Sequence, residues 1–423
     1  MDDNWKKIGE SMNKQKLAII GSGISGLSCA HYLAPHHDIT VYEAAHYVGG
    51  HTHTVEVEVE GEVSDIDTGF IVFNDRTYPN FIQLMDRLNV GYQPTEMSFS
   101  VKNEAIDLEY NGNTLNSLFA QRRNLLRPAF LAMVADIVRF NREVKKVDDE
   151  SQLLTLGDFL ARRKYSKLFK ENYLLPMVSA IWSMGLDSCM DFPLQFFVRF
   201  FDNHGLLDLV NRPQWYTVQG GSSRYIEPLT APFTERVRVN TPVLRVQRDE
   251  KQVRILTDGG EEVYDQVVFA CHGNQALSLL AEPTEKEISV LQEFTTSRNE
   301  VILHTDTSFL PKRKLGWASW NYNMVNDAQQ QSTLTYNMNI LQRLKKQHTY
   351  LVTLNQDIPE EHILRTFVYY HPVFTQGAIK AQEEWQTISG RHRSHFCGAY
   401  WFNGFHEDGV KSALRVIEAV EAK

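Results

Sequence analysis

The stretch Lys16-Leu-Ala-Ile-Ile-Gly21-Ser-Gly23-Ile-Ser-Gly26 constrains this chain more than any other. A short apolar run feeding a G-x-G-x-x-G turn builds a dinucleotide cradle when a strand ends there and a helix begins. Gly21 lets the strand turn sharply, Gly23 lets the backbone approach a pyrophosphate, and Gly26 lets the helix pack on the strand. Ile24 and Ser25 open that helix, which apolar Ile24, Leu27, Ala30 and Leu33 carry to Leu33. Its N-terminus offers phosphates free N–H groups and the positive end of the dipole. A second strand, Ile39 to Glu43, ends in an acid about 20 residues beyond the first glycine, the spacing of a ribose-binding carboxylate. An acid there disfavours the phosphorylated ribose of NADP.

Directly after Glu43 come Gly49-Gly50-His51-Thr52, an alternating strand Val55 to Val59, and Asp65-Ile-Asp67-Thr-Gly69-Phe70. This resembles the FAD-binding N-terminus of the flavoprotein group containing amine oxidases, protoporphyrinogen oxidase and phytoene desaturases. The resemblance implies non-covalent FAD and extends the cofactor site to Gly49, Gly50, His51, Thr52, Gly69 and Phe70. Many relatives follow the glycine doublet with an arginine. His51 stands there instead, and a neutral imidazole donates only one hydrogen bond. At the other end, Ser394-His-Phe-Cys397-Gly398-Ala-Tyr400 through Phe405-His406-Glu407-Asp408-Gly409 reads as a buried strand, a loop and the start of a final helix. The resemblance implies that Gly398, Glu407, Asp408 and Gly409 join the cofactor site. The helix N-terminus would then stabilise negative charge on reduced flavin. Glu407 and Asp408 also suit plain helix capping, and His406 suits either a flavin-side or a structural role.

The fold class expected is α/β: an FAD-binding Rossmann-like parallel sheet of glutathione-reductase type, with a discontinuous α+β substrate domain. The FAD domain is assigned to 14–75, 216–282 and 386–423, and the substrate domain to 76–215, largely helical, and 283–385, largely sheet. Val237 to Val246 and Val253 to Leu256 read as alternating strands joined by turns. By the resemblance, the Val243 backbone contacts the adenine. Tyr264 to His272 is a nearly unbroken apolar run, as in a parallel strand covered on both faces.

A net charge of −9 argues against a nucleic-acid partner. Cys29, Cys189, Cys271 and Cys397 show no C-x-x-C pairing. No metal site or disulfide framework is expected, and the usage fits a reducing cytosol. Cys397 falls within an apolar strand and reads as a buried thiol. The first sixteen residues are polar and charged, unlike a signal peptide, and no run is long enough to cross a bilayer. A cytoplasmic protein is expected, with peripheral contact at the inner membrane face left open. The aromatic stretch Phe192 to Phe201 could touch lipid, though it reads better as a buried helix.

His204-Gly-Leu-Leu207, Trp215 to Ser222, Ala318 to Tyr322, Tyr370 to Phe374 and Phe405 to Gly409 resemble a narrower bacterial group of predicted NAD/FAD-binding proteins. That group is similar to the flavoprotein half of some plant cyclopropane fatty acid synthases. The resemblance runs from about Lys16 to Ala419 and implies an FAD oxidoreductase acting on a small hydrophobic or lipid substrate. An unsaturated or methylated fatty acyl chain is favoured, with association to a lipid-modifying methyltransferase as a further implication. A flavin amine oxidase and a flavin-holding partner protein stay open. The strand Ser297 to His304 carries no lysine of the kind many amine oxidases place near the flavin. Cavity candidates are His304, Trp320, Asn321, Tyr322, His371 and Tyr400.

Overall fold

A computed structural model describes residues 14–147, 154–182, 185–186, 188–208, 212–324 and 334–422. Most of the charged N-terminal stretch read above lies outside them. Five strands form a parallel sheet in the order Val237–Arg238, Asp38–Tyr42, Lys16–Ile20, Gln266–Phe269, Ser394–Phe396. Chain ends and middle thus build one sheet. Gln266–Phe269 is buried along its whole length, as its unbroken apolar sequence requires of an inner parallel strand. Val237–Arg238 corrects an expectation. Instead of running on to Val246 as one alternating strand it pairs with Val41 and Tyr42 at the sheet edge, while Arg245–Arg248, Val253–Thr257 and Gly260–Tyr264 form a separate antiparallel sheet.

The helices Ile24–Leu33 and His406–Glu421 bury their faces in the same core as the parallel sheet. Their contact is close because position 409 has no side chain: a Cβ there would lie 2.6 Å from Ile24 Cγ2. Cys29 and Cys397, distant in sequence, meet in this core as free thiols with sulfurs 3.9 Å apart.

A seven-stranded sheet follows the order Ile363–Pro372, Thr296–His304, Leu351–Leu354, Leu334–Asn337, Trp320–Met324, Phe99–Asn103, Leu108–Asn111. It is antiparallel except where Trp320–Met324 runs alongside Phe99–Asn103. Two of its strands therefore come from the stretch read as largely helical. Helices Pro128–Val144, Leu156–Ala161, Leu175–Trp182 and Leu194–Asn203 share a second core. Phe196, Phe197, Phe200 and Phe201 are buried in it, so this aromatic run is interior and does not face lipid.

The ion pair between Arg248 and Glu287 is almost wholly interior. Arg248 donates to both carboxylate oxygens of Glu287, at 2.6 and 2.9 Å, with both side chains buried. Glu287 also accepts the Thr284 N–H at 2.8 Å as a helix cap. Burial opposes its ionisation, yet the Arg248 and Thr284 bonds prevail and hold its pKa below the usual value. Glu287→Ala strands a buried guanidinium and should cost about 3–5 kcal/mol. Chemical denaturation at neutral pH measures this, with Arg248→Met/Glu287→Leu expected to recover much of the loss.

Candidate functional site

The site forms at the carboxyl ends of the parallel strands, where open α/β sheets bind ligands. Lys16–Ile20 ends at Gly21, whose φ of +105° suits glycine alone. A Cβ on Gly26 would collide with the Gly21 carbonyl oxygen, so the helix can approach the turn only with glycine there. Gly23 differs, since a Cβ added to it would meet nothing within 4 Å. Space is open where a pyrophosphate would lie. The helix that starts here has no side-chain cap and no acid in its first turn. Its N–H groups and positive dipole end are left for an anion.

Glu43 is held at the neighbouring strand end. Ser22 donates to Glu43 Oε2 from its N–H at 2.9 Å and its hydroxyl at 2.6 Å, and the Ala45 N–H donates to Oε1 at 2.8 Å. Ser22 also accepts the Gly49 N–H on its carbonyl at 3.0 Å. It thereby couples the acid to the glycine doublet. Gly50 lies over the turn, where a Cβ would sit 3.1 Å from Gly23 Cα. The Thr241 N–H donates to the Glu43 carbonyl at 2.8 Å, which brings the loop leading to Val243 alongside. These features fit an adenosine diphosphate: an open glycine cradle, an uncapped helix start, and a carboxylate with remaining acceptor capacity.

Beyond the doublet, His51 meets three aromatic side chains from other elements. Its ring centroid lies 5.5 Å from His371, 5.2 Å from Tyr369 and 6.5 Å from His272. His51 Nε2 is buried with no hydrogen-bond partner, an orphan that a bound group would satisfy. Burial depresses all three imidazoles, His371 to about 4, so they are neutral at physiological pH. Asn299, on the strand Thr296–His304, donates to His371 Nδ1 at 3.2 Å, and its Oδ1 accepts from Asn355 at 2.8 Å. That bond leaves the His371 proton on Nε2. Gly69 and Phe70 pass close behind His51, with the Phe70 N–H donating to the His51 carbonyl at 2.7 Å. Thr52 contacts Tyr225 and bonds His406 Nε2 at 3.0 Å. Phe70 stacks on His406 with centroids 3.6 Å apart.

Most other expected site residues have structural partners, although Trp320 Nε1 and the Tyr400 hydroxyl are buried without a hydrogen bond. Glu407 accepts the Phe81 N–H at 2.9 Å and the Asn80 N–H at 3.2 Å, so it caps helix Pro79–Arg87. Asp408 accepts the Phe405 N–H at 2.9 Å, capping its own helix. Gly409 serves the helix contact described above, and Gly398 donates its N–H to Ser412 at 2.8 Å. His304 is a satisfied core residue, bonded to Thr353 at 2.7 Å and to the Asp306 N–H at 3.1 Å. Asn321 is likewise saturated by Ser100, Ala318 and Thr335. Tyr322 lies in the helical core near Ser179, and Tyr400 is buried against Phe294 and Trp401. Trp320 is half-buried against Tyr336, with its Nε1 hidden and unpartnered. Of the cavity candidates, only His371 joins His51. Sequence reading missed Ser22, Tyr225, His272, Asn299 and Tyr369.

Residues 24–365 match the flavin containing amine oxidoreductase family, and the chain belongs to it. This places it among the flavin-containing, amine-oxidase-like proteins. Among curated proteins it is 23% identical to an L-amino acid oxidase of Bothrops pictus, over 59% of this chain and 50% of that protein. It is equally identical to L-amino-acid oxidase BmooLAAO-I of Bothrops moojeni, over 65% of this chain and 56% of that one. The chain therefore spans about half the length of these relatives. Solved structures share the fold. Cyclohexylamine oxidase from Brevibacterium oxydans superposes with a TM-score of 0.70 at 15% identity, covering 97% of this chain and 99% of that one. A CLA-producing fatty acid isomerase from P. acnes gives 0.67 at 17% identity, covering 96% and 99%.

Two outcomes test this geometry. Gly23→Val should fold normally, because the side chain has room, yet lose FAD, because that room belongs to the pyrophosphate. Circular dichroism and flavin absorbance measured together check this. Asp408 gives a pH signature. Burial raises its pKa from 3.8 to about 7, so the folded chain holds the proton more tightly than the unfolded one. Its destabilising cost is absent at low pH, grows between about 4 and 7, and is complete above 7. Asp408→Asn keeps the cap acceptor, so its gain in Tm over the parent should be largest above pH 7 and vanish near pH 4.

Proposed function

We propose that this flavoprotein oxidises, desaturates or isomerises a hydrophobic substrate, with an unsaturated or methylated fatty acyl chain, free or in a phospholipid, as the favoured class. The observation that carries the reading is the uncharged character of the groups around His51. His51, His272 and His371 are held neutral, Tyr369 keeps its proton, and the strand Thr296–His304 that passes them brings the neutral amide of Asn299 and no lysine. A protonated amine brought there would lose hydration and find no counter-charge among these side chains. A hydrocarbon chain has no such requirement. FAD, when bound, accepts a hydride from a substrate C–H bond. The protein's part is to hold the chain, exclude water and place neutral donors such as His371 Nε2.

Two further features support an apolar substrate. Phe405 packs against both the parallel-sheet core and the helical core, and it stacks on Phe200 with centroids 4.9 Å apart. Apolar side chains thus continue from the cofactor side into the helical lobe. One structural relative, moreover, is a fatty acid isomerase. Within this reading the cofactor domain is of glutathione-reductase type and comprises 14–75, 216–282 and 386–423, with 76–215 and 283–385 forming the substrate domain. FAD binds without a covalent link, and Cys397 is a core thiol. Val243 lies at the adenine.

The family match and the L-amino-acid oxidase relatives favour a second reading, an amine oxidase. The two separate in one experiment. Oxidised holoenzyme is mixed anaerobically with unsaturated phospholipids, free fatty acids, and a panel of primary and secondary amines, while flavin absorbance is followed and the recovered lipids are analysed for double-bond number and position. Bleaching by an acyl substrate, or its isomerisation without net bleaching, is the expected result. Bleaching by amines alone reverses the assignment. Silence with both classes favours a flavin-holding partner of a lipid-modifying methyltransferase.

A further inference from the structure

The chain carries a net charge of −9, yet residues 104–131 and 311–317 together hold six basic and three acidic residues. The three acids are already engaged. Asp107 pairs with Arg123, Glu109 with Arg313 at 2.9 Å, and Glu104 with Lys102 and Lys312 at 3.3 and 3.7 Å. Arg122, by contrast, bonds neutral oxygens of Asn116 and Phe119. Arg127 bonds the carbonyls of Ile106 and Asp107, and the Lys314 ammonium lies 5.6 Å from the Trp317 ring centroid. None of these partners cancels a charge.

Leucines project among these cations. Leu126 is 88% exposed, Leu115 79% and Leu125 50%, with Leu131 and Leu315 also in solvent. They belong to one surface: helix Leu115–Leu118 packs on the turn Lys314–Gly316, and Arg122 reaches back to Asn116. Ile106, Arg123, Leu126, Arg127 and Pro128 line a shared shallow depression. Single exposed leucines are ordinary on a protein surface. Five of them interleaved with uncancelled cations, on an otherwise acidic protein, are not.

We infer that this face docks the protein on an anionic lipid bilayer, with Leu115, Leu125 and Leu126 entering the acyl boundary and Arg122, Arg127 and Lys314 at the phosphates. Bilayers receive projecting aliphatic side chains without shape complementarity, and basic residues beside them gain from anionic headgroups. Protein interfaces select aromatic anchors, whereas the exposed apolar groups here are aliphatic. Nucleic acid would engage the cations but leave the leucines in water. The inference rests on surface chemistry alone and is independent of the substrate assigned above.

The test is co-sedimentation of the FAD-loaded protein with phosphatidylcholine vesicles, with and without phosphatidylglycerol. Binding should require phosphatidylglycerol and weaken with added salt. Leu115→Asp/Leu126→Asp should reduce it at least tenfold, and Arg122→Gln or Lys314→Gln about fivefold each. Flavin content and Tm, expected to stay at parental values, confirm that these exposed substitutions leave the fold intact. Binding indifferent to lipid charge, or unchanged in the leucine variant, overturns the inference. So does a dimer in lipid-free solution that the leucine variant abolishes, which would assign the face to a second copy of this chain.

Discussion

Three remote stretches of this chain meet in one buried hydrogen-bonded cluster, and the rest of the site depends on it. Thr52 follows the glycine doublet, Tyr225 comes from the middle of the chain, and His406 begins the last helix. The Tyr225 hydroxyl bonds His406 Nε2 at 2.7 Å beneath the Phe70 ring. Buried polar groups left unpaired are costly, so each stretch is properly satisfied only when the other two have docked. The same meeting seats Gly409 on Ile24 and brings Glu407 to helix Pro79–Arg87. A sheet stitched from discontinuous segments gains its cooperativity at such a point.

The two helices of this core have opposite electrostatic characters at their starts. Ile24–Leu33 presents an N-terminus without acids or a side-chain cap, whereas His406–Glu421 carries Glu407 and Asp408 in its first turn. An anion is therefore welcome at the first and met by carboxylates at the second. Burial weakens that second field, since it raises Asp408 to about 7 and leaves part of its population neutral near physiological pH. The pyrophosphate position and the start of the last helix thus differ in charge.

Legibility in the sequence tracked locality. The glycine turn, its helix and the acid at Glu43 are encoded within thirty residues, and the helix Ile24–Leu33 appears with the limits expected. Gln266–Phe269 was readable because a fully covered strand must be apolar throughout. Val237–Arg238 was not, because a two-residue edge strand has no period to read. The His51, His272 and His371 group joins the glycine doublet, the exit of an inner strand and an outer strand of another sheet, so no spacing announces it. His304 shows the converse. A lone histidine in an apolar strand suggested a cavity group, but its partner Thr353 lies diagonally across on the neighbouring strand, where sequence distance hides the match.

Gly23, which no part of the polypeptide crowds, separates what the fold needs from what the cofactor needs. Gly21 and Gly26 are confined by the protein's own backbone, and a side chain at either collides with it. Nothing in the polypeptide restrains position 23. A descendant released from selection for redox chemistry could accept an alanine or serine there without structural penalty, while the two flanking glycines persisted. The middle glycine is thus the molecular clock of function in this motif and its neighbours the clock of architecture. A homologue that has filled that one position would be recognisable as a fold that has outlived its flavin.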